Sequence, residues 1–251
     1  MTGVLTYMKS DTNKKILILT GGTDRFRTKE SESDALFEEV LDLTLPSKIK
    51  YAEKYGYDFK VLRDFGSDSR GIFDDNHVGP QRLLCVFEML DHYDVVMWID
   101  GDSIITNDEY SVESIGLEEN VIFYGSQVWN GHTMFNLPYF SAGNFMIHKT
   151  EGYDKLKEYF YTAAQQIGPT NTEEQHILNL IHKRTDLGPA FKIVGNNIFE
   201  SVPSQDVYGD WYKFGRPVVH EWKSGNFLVH LSALPNSGRI DIMHKHYSDY
   251  L

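Results

Sequence analysis

The chain has 251 residues, 41% hydrophobic and 24% charged, the make-up of a soluble folded protein long enough to bury a sizeable core. Its 24 basic and 36 acidic residues leave a formal charge of −12, which argues against nucleic acid or an anionic membrane surface as the partner. A single cysteine, Cys85, excludes an internal disulfide framework, and neither a signal-peptide pattern nor an apolar run long enough for a membrane span occurs.

Lys14-Lys15 leads into the apolar run Ile16–Leu19, a first strand that ends in a turn at Thr20, Gly21, Gly22 and Thr23. Glycines there allow a ligand close to the backbone, although neither the phosphate-loop nor the dinucleotide spacing is met. Residues 31–55 read as helical, capped by Ser31 or Ser33. Leu36, Val40, Leu41, Ile49, Tyr51 and Ala52 form the apolar face, and Pro46 opens a second helix. Gly56 ends it and Asp58–Leu62 is a second strand. A polar loop follows, and Pro80 opens a helix carrying Leu83, Leu84, Val86, Phe87 and Leu90, with Cys85 as apolar filler and Arg82 in the first turn. A cation at that end opposes the helix dipole, so Arg82 is either a solvated residue or aimed at a negative site.

Val95–Ile99 is an uninterrupted apolar run, the signature of a strand covered on both faces. It stops at Asp100-Gly101-Asp102. Carboxylates this close repel unless a cation offsets them, and the carboxyl end of a buried strand is where open α/β sheets bind ligands. A hard divalent metal or a phosphate site fits; a plain turn is the alternative reading. Val121–Tyr124 is a further strand, followed by an aromatic, amide-rich loop with Trp129, Asn130, His132, Phe135 and Tyr139. Ser141, Ala142, Gly143 and Asn144 lead into a strand through Ile147, their small side chains leaving room for a ligand. Helices near 151–166 and 172–183 come next. Thr172 and Gln175 have capping-box spacing, which accounts for Glu173, Glu174 and Gln175 in structural terms. Val207–Phe214 carries Tyr208, Trp211 and Tyr212, and Phe227–His230 is a last strand. His220, His230, His244 and His246 carry no local signal of ligation. The aromatic content, 14%, suits a protein that stacks sugar rings.

Taken in order, ILILTGG, YAEKYGYDF, the Arg-bearing helix, VVMWIDGDSIITN, FSAGNFMIHKT, TEEQHILNLI and FLVHLSAL resemble a glycosyltransferase of the type A fold. They are most similar to the family of yeast α-1,2-galactosyltransferases and plant xyloglucan xylosyltransferases, over residues 14–235. The resemblance implies an α/β, Rossmann-like domain with a central mixed sheet flanked by helices. It would span residues 1–251, with a nucleotide-binding half at about 14–107 and an acceptor and catalytic half at about 108–251. It further implies Mn2+, with Mg2+ as the alternative, held by Asp100, Asp102 and His230. Donor contacts are expected from Thr20, Gly21, Gly22, Arg82, Gly101, Gly143 and Asn144, and catalytic roles for Gln175, Glu174 and Asp102. Two departures are visible. Ala233 stands where the family has glycine, and no N-terminal membrane anchor is present, which leads to the expectation of a cytoplasmic protein of bacterial or viral type.

The reaction so implied is transfer of a sugar from a nucleotide-diphosphate sugar, with a UDP-sugar favoured, to a glycan or glycoprotein acceptor. The metal would stabilise the diphosphate leaving group. Retention of anomeric configuration is implied as well, with the departing phosphate taking the acceptor proton and the Gln175 carbonyl facing the oxocarbenium-like centre. Two other readings stay open: a phosphohydrolase with Asp100 as nucleophile and Asp102 as acid/base, and a non-catalytic sugar-binding module.

Overall fold

The first apolar run extends two residues further than its pattern predicts, so that Thr20 and Gly21 belong to strand β1 (Ile16–Gly21). The computed structural model describes residues 14–22, 35–63, 65, 78–127, 133–134, 137–138, 140–167, 174–208, 220–232 and 234–251. Helix α1 (Phe37–Tyr55), strand β2 (Asp58–Leu62), helix α2 (Val78–Met89) and strand β3 (Val95–Asp100) follow in the expected alternation. Next come β4 (Ser103–Ile105), α3 (Val112–Ile115), β5 (Phe123–Gln127), the short β6 (Thr133–Met134) and β7 (Leu137–Pro138), and β8 (Phe140–His148). Beyond them lie α4 (Tyr153–Ile167), α5 (Glu174–Arg184), β9 (Phe191–Val194), α6 (Asn196–Phe199), α7 (Gln205–Tyr208), β10 (Leu228–His230) and α8 (Asn236–His246).

Six strands form the main sheet in the order β2-β1-β3-β8-β5-β9. β1 is parallel to β2 and β3, β8 runs antiparallel between β3 and β5, and β5 is parallel to β9, so the sheet is mixed. The interior place of β3 explains its continuous apolar run: Val95–Ile99 are all buried. Val96 and Trp98 pack with Leu83 and Phe87 of α2, Phe160 of α4 and Ile177 of α5. Val95, Met97 and Ile99 pack on the opposite face with Tyr51 and Ala52 of α1 and with Phe227. Helices therefore cover both faces, and the ends of the strands are left to carry polar chemistry.

α1 differs from its sequence reading. It runs unbroken through Pro46, and Leu36 precedes it as a cap without a side-chain bond. Pro46 and Asp42, whose carbonyl proline leaves without a donor, are both exposed, so water can serve that carbonyl and no break is needed. Leu36 and Ile49, expected on the apolar face, are 40% and 38% exposed. The buried stripe keeps the expected Val40, Leu41, Tyr51 and Ala52 and adds the polar Thr44, Ser47 and Lys48. Gly56 ends the helix at φ 70, a left-handed conformation suited to glycine.

Smaller shifts occur elsewhere. α2 begins two residues before Pro80, β5 begins at Phe123, and β10 pairs antiparallel with β4 rather than joining the main sheet. Ser31, Ser33, Trp129, Asn130, His132, Phe135, Tyr139, Thr172, Glu173, Trp211, Tyr212 and Ala233 lie outside the described residues. No helix among the described residues is long and apolar enough to cross a membrane.

Candidate metal centre and donor cleft

The site forms where β3 ends. Gly101 and Asp102 turn the chain out of the sheet into β4, and β10 pairs with β4 so that His230 stands opposite Ser103. Backbone bonds fix this arrangement: Leu231 N–H donates to Asp102 O at 3.1 Å, and His230 N–H donates to Ser201 O at 2.7 Å. Asp100 N–H donates to Asn144 Oδ1 at 3.0 Å, and Asn144 Nδ2 donates to Phe199 O, so Asn144 joins β3 to the end of α6. Asp100, Asp102 and His230, 130 residues apart in sequence by the numbering of the first and last, each direct one ligand atom into a common space, all within 4.8 Å of one another. His230 Nε2 lies 3.3 Å from Asp102 Oδ1 and 3.6 Å from Asp100 Oδ2.

The other atom of each of the three has its own neighbour. Asp100 Oδ1 accepts from Arg82 Nη1 and, at 2.7 Å, from Trp98 Nε1. Asp102 Oδ2 lies 3.1 Å from Arg239 Nη2, and His230 Nδ1 lies 3.5 Å from Glu200 Oε1. Arg82 also donates to Glu174 Oε1 and, at 2.9 Å, to Ala142 O, and its guanidinium sits over the Trp98 ring. A carbon at position 143 would stand 2.6 Å from His230 Cε1 and 3.0 Å from Asp100 Oδ2, so only glycine leaves the two ligands their present places.

Burial and charge act against each other here. Burial raises Asp100, Arg82 opposes it, and the Asp102 charge adds to the rise. Burial pushes Asp102 up too, but Arg239 and His230 hold it well below the carboxylate range. Two neighbouring carboxyls thus differ in their hold on a proton, as expected when like charges share a site. Burial disfavours a charged His230, yet Asp102 and Glu200 outweigh it and raise its pKa well above the usual value. Four carboxylates (Asp100, Asp102, Glu174, Glu200) face Lys48, Arg82, Arg239 and a protonated His230, and a divalent cation held by the two aspartates and the neutral imidazole would supply the positive charge that the His230 proton otherwise brings. Two carboxylates and one imidazole on converging atoms suit Mn2+ or Mg2+, and the imidazole favours Mn2+ of the two. The side chains fit the expected ion.

Lys48 lies beneath the aspartate turn. Its ammonium donates to Asp100 O at 2.8 Å, Thr44 Oγ1 at 3.0 Å and Thr20 Oγ1 at 3.1 Å, and Thr44 Oγ1 donates to Gly101 O at 2.6 Å. Burial lowers its pKa to about 7 against the raising pull of Asp102 and Asp100. Sequence reading missed Lys48, although its spacing from Val40, Thr44, Tyr51 and Ala52 places it on the inner stripe of α1. Arg239 on the polar α8 and Glu200 after α6 left no sequence signal at all.

A cleft of about 200 Å³ opens beside the aspartates, lined by Gly21, Gly22 and Gly101, by Phe37, Phe65 and Trp98, and by Arg82. The side chain of Asp100 is 18% exposed, against 7% for Asp102 and 6% for His230, so Asp100 presents the most open ligand. Of the predicted donor contacts, Gly21, Gly22, Gly101 and Arg82 line the cleft, and Gly143 stands behind the ligands. Thr20 and Asn144 are fully buried and bonded to Lys48 and to the Asp100 backbone. Gln175 Oε1 accepts from Ala142 N–H at 3.1 Å, which ties the start of α5 to β8 beside Gly143, and Glu174 is joined to Asp100 through Arg82.

No family model matches the sequence, and no curated protein matches it either. Solved structures do. A glycosyltransferase involved in glycosylation of the major capsid of PBCV-1 superposes with a TM-score of 0.58 at 12% identity, covering 91% of this chain and 98% of that one. The galactosyltransferase LgtC, solved with donor and acceptor sugar analogs, gives 0.50 at 13% identity over 86% of this chain and 87% of its own. The apo-form glycosyltransferase GlyE of Streptococcus pneumoniae TIGR4 gives 0.50 at 13% identity over 94% of this chain, which spans 64% of GlyE. The likeness is one of fold. The chain has the glycosyltransferase type A fold, with its mixed central sheet between layers of helices.

Proposed function

We propose that the protein is a metal-dependent glycosyltransferase that moves a sugar from a nucleotide-diphosphate sugar, by preference a UDP-sugar, to a glycan or glycoprotein acceptor with retention of anomeric configuration. One observation carries the reading: Asp100, Asp102 and His230 turn one ligand atom each toward a shared space while Arg82, Arg239 and Glu200 neighbour the other three. The fold supports it, as does the complex of LgtC with donor and acceptor sugar analogs. Residues 14–107 serve as the nucleotide-binding half and 108–251 as the acceptor half, His230 reaching across to the aspartates.

Asp100, Asp102 and His230 would hold a divalent ion, which would supply positive charge to the diphosphate leaving group. The protein's own part is orientation. Arg82 and Trp98 hold Asp100 in one rotamer, and the cleft beside it, with its glycines and aromatic rings, admits the donor. We assign the Gln175 carbonyl to the sugar's developing positive charge. Its bond from Ala142 N–H fixes the oxygen and leaves a lone pair for a second contact. Glu174, anchored by Arg82, is assigned to sugar hydroxyls. Attack on the face the leaving group departs from needs no protein base, since a phosphate oxygen can take the acceptor's proton.

A thermal-shift series tests the reading. Nucleoside diphosphates and their sugars are compared with Mn2+, with Mg2+ and with EDTA. Ligand at about 100 times its Kd stabilises the folded state by about 2.7 kcal/mol. One nucleotide should therefore raise Tm by roughly 5–10 °C, and only with metal. Equal stabilisation in EDTA overturns the metal's role, and Mn2+-loaded protein that neither hydrolyses nor transfers from any donor it binds reduces the reading to a binding module. For Gln175, Gln175→Ala should lower kcat about 10²-fold or more with donor KM little changed. Turnover unchanged alongside an earlier melt would leave Gln175 a structural tie only.

A further inference from the structure

The three ligand residues differ in how their rear atoms are held. Both aspartates meet arginines, whereas His230 meets a carboxylate. Nδ1 of His230 is buried and has Glu200 Oε1 as its neighbour at 3.5 Å, with no closer hydrogen bond, and the second oxygen of Glu200 is buried without a partner. Both residues are buried, at 5% and 8% exposure, in a part of the protein where uncompensated charge is costly. The pairing is built by the backbone. His230 N–H donates to Ser201 O, which places the residue after Glu200 against β10, and Phe199, the residue before it, accepts from Asn144. Glu200 is thus held between two bonds that tie it to β10 and to β8.

A neutral imidazole carries one proton, so one nitrogen donates and the other accepts. A cation in the space shared with Asp100 and Asp102 needs the lone pair on Nε2. Without an acceptor behind the ring, the proton is free to sit on Nε2 and bond to Asp102 Oδ1, which closes the centre. We propose that Glu200 is a positioning residue for the metal centre: its carboxylate accepts the Nδ1 proton of His230, fixes the ring and leaves the Nε2 lone pair facing the aspartates. This rests on the metal-centre reading above. Carboxylates placed behind ligating histidines in this way generally change metal affinity about 10- to 100-fold when altered.

The test is Mn2+ and Mg2+ binding by calorimetry and by electron paramagnetic resonance of free Mn2+, on wild type, Glu200→Gln, Glu200→Asp, His230→Ala and the double variant Glu200→Gln/His230→Ala. Glu200→Gln should weaken Mn2+ about 10- to 100-fold and Mg2+ less, because the lost contribution passes through an imidazole, and it should narrow the preference for Mn2+. In the His230→Ala background the same change should do little, since its route is gone. Glu200→Asp, which keeps the charge on a shorter arm, should fall between wild type and Glu200→Gln and serves if the glutamine variant does not fold. Additive effects of Glu200→Gln and His230→Ala, or wild-type Mn2+ affinity in both position-200 variants, overturn the proposal while leaving the metal centre standing. Wild-type protein that binds neither cation, alone or with nucleoside diphosphate, overturns both.

Discussion

Where β3 begins, Lys15 sits over the Tyr93 ring at 4.3 Å and its backbone N–H donates to the exposed Asp94 at 2.7 Å; nearby Lys192 pairs with Glu118 in the open, their side chains 41% and 43% exposed. Where β3 ends, Lys48, Asp102, Glu174, Glu200 and His230 are all buried, and Arg82 and Arg239 reach in to them. Among the described residues the only buried histidine at the first end is His148, which accepts from Lys14. One sheet therefore handles charge in two ways. The first end shows that the fold does not need buried ions to close a strand, since solvent-facing pairs suffice. Concentrating them at the other end costs desolvation energy and invites function as the explanation.

The largest effect should come from Asp102→Asn. It keeps the shape of the side chain but leaves Arg239 and His230 facing a neutral group in a buried place. Removing one partner of a buried pair costs about 3–5 kcal/mol. For a chain of this size that lowers Tm by roughly 6–20 °C. Calorimetry should also show metal-dependent nucleotide binding lost. A variant that melts and binds Mn2+ as wild type does would erase the contrast between the two ends.

Lys48→Met ranks next. It swaps the ammonium for an apolar group of similar length, relieving a buried charge but leaving the carbonyl of Asp100 and the hydroxyls of Thr20 and Thr44 short of a donor. Each such acceptor costs about 1–3 kcal/mol, offset in part by the lost desolvation, so a net loss of about 2 kcal/mol is expected from chemical denaturation. Nucleotide affinity in Mn2+ should fall with it, because the turn bearing both aspartates loosens. Gly143→Ala should act more narrowly. Its new carbon meets His230 Cε1 at 2.6 Å and pushes the ring, so Mn2+ affinity should drop about tenfold or more while Tm changes by a few degrees at most. Unchanged Mn2+ affinity in Gly143→Ala would place His230 outside the ligand set.

Much of this contrast could be read in advance, and what escaped has physical causes. β3 and its aspartate pair were legible because burial on both faces forces an apolar run, and a sudden pair of carboxylates at its end has few structural uses. Arg82 was legible as an oddity, a cation expected in the first turn of a helix; it lies one residue past that turn, since α2 starts at Val78, and the structure supplies the anions that hold it. Lys48 was missed because an apolar face was sought: Val40, Leu41, Tyr51 and Ala52 of the buried stripe were found, together with Leu36 and Ile49, which are exposed, but not its polar members Thr44, Ser47 and Lys48. Arg239 and Glu200 could not have been found from pattern. Both reach the centre from irregular or polar segments in the last third of the chain, where no periodicity records which side faces inward, and only the pairing of β10 with β4 brings them near.

The smallest effect belongs to the open end and tests whether it is as dispensable as the comparison holds. Lys192→Met breaks the pair with Glu118, a carboxylate that also accepts from Tyr124 at 2.7 Å. Exposed pairs contribute about 0.2–1 kcal/mol. A loss of roughly 1–3 °C in Tm is therefore expected at neutral pH. The bonds from Lys192 and Tyr124 lower the Glu118 pKa to about 2. A carboxylate depressed in the folded state stabilises it fully above the unfolded value, about 4.3, and the contribution fades as pH falls from there toward 2. The gap in Tm between wild type and Lys192→Met should accordingly stay level from about pH 8 to pH 5 and narrow below about pH 4. High salt should narrow it too, since exposed charges are screened, and should leave the Asp102→Asn deficit nearly untouched. If salt reduced both deficits alike, the buried end would be as wet as the open one, and its charges would need no ligand to account for them.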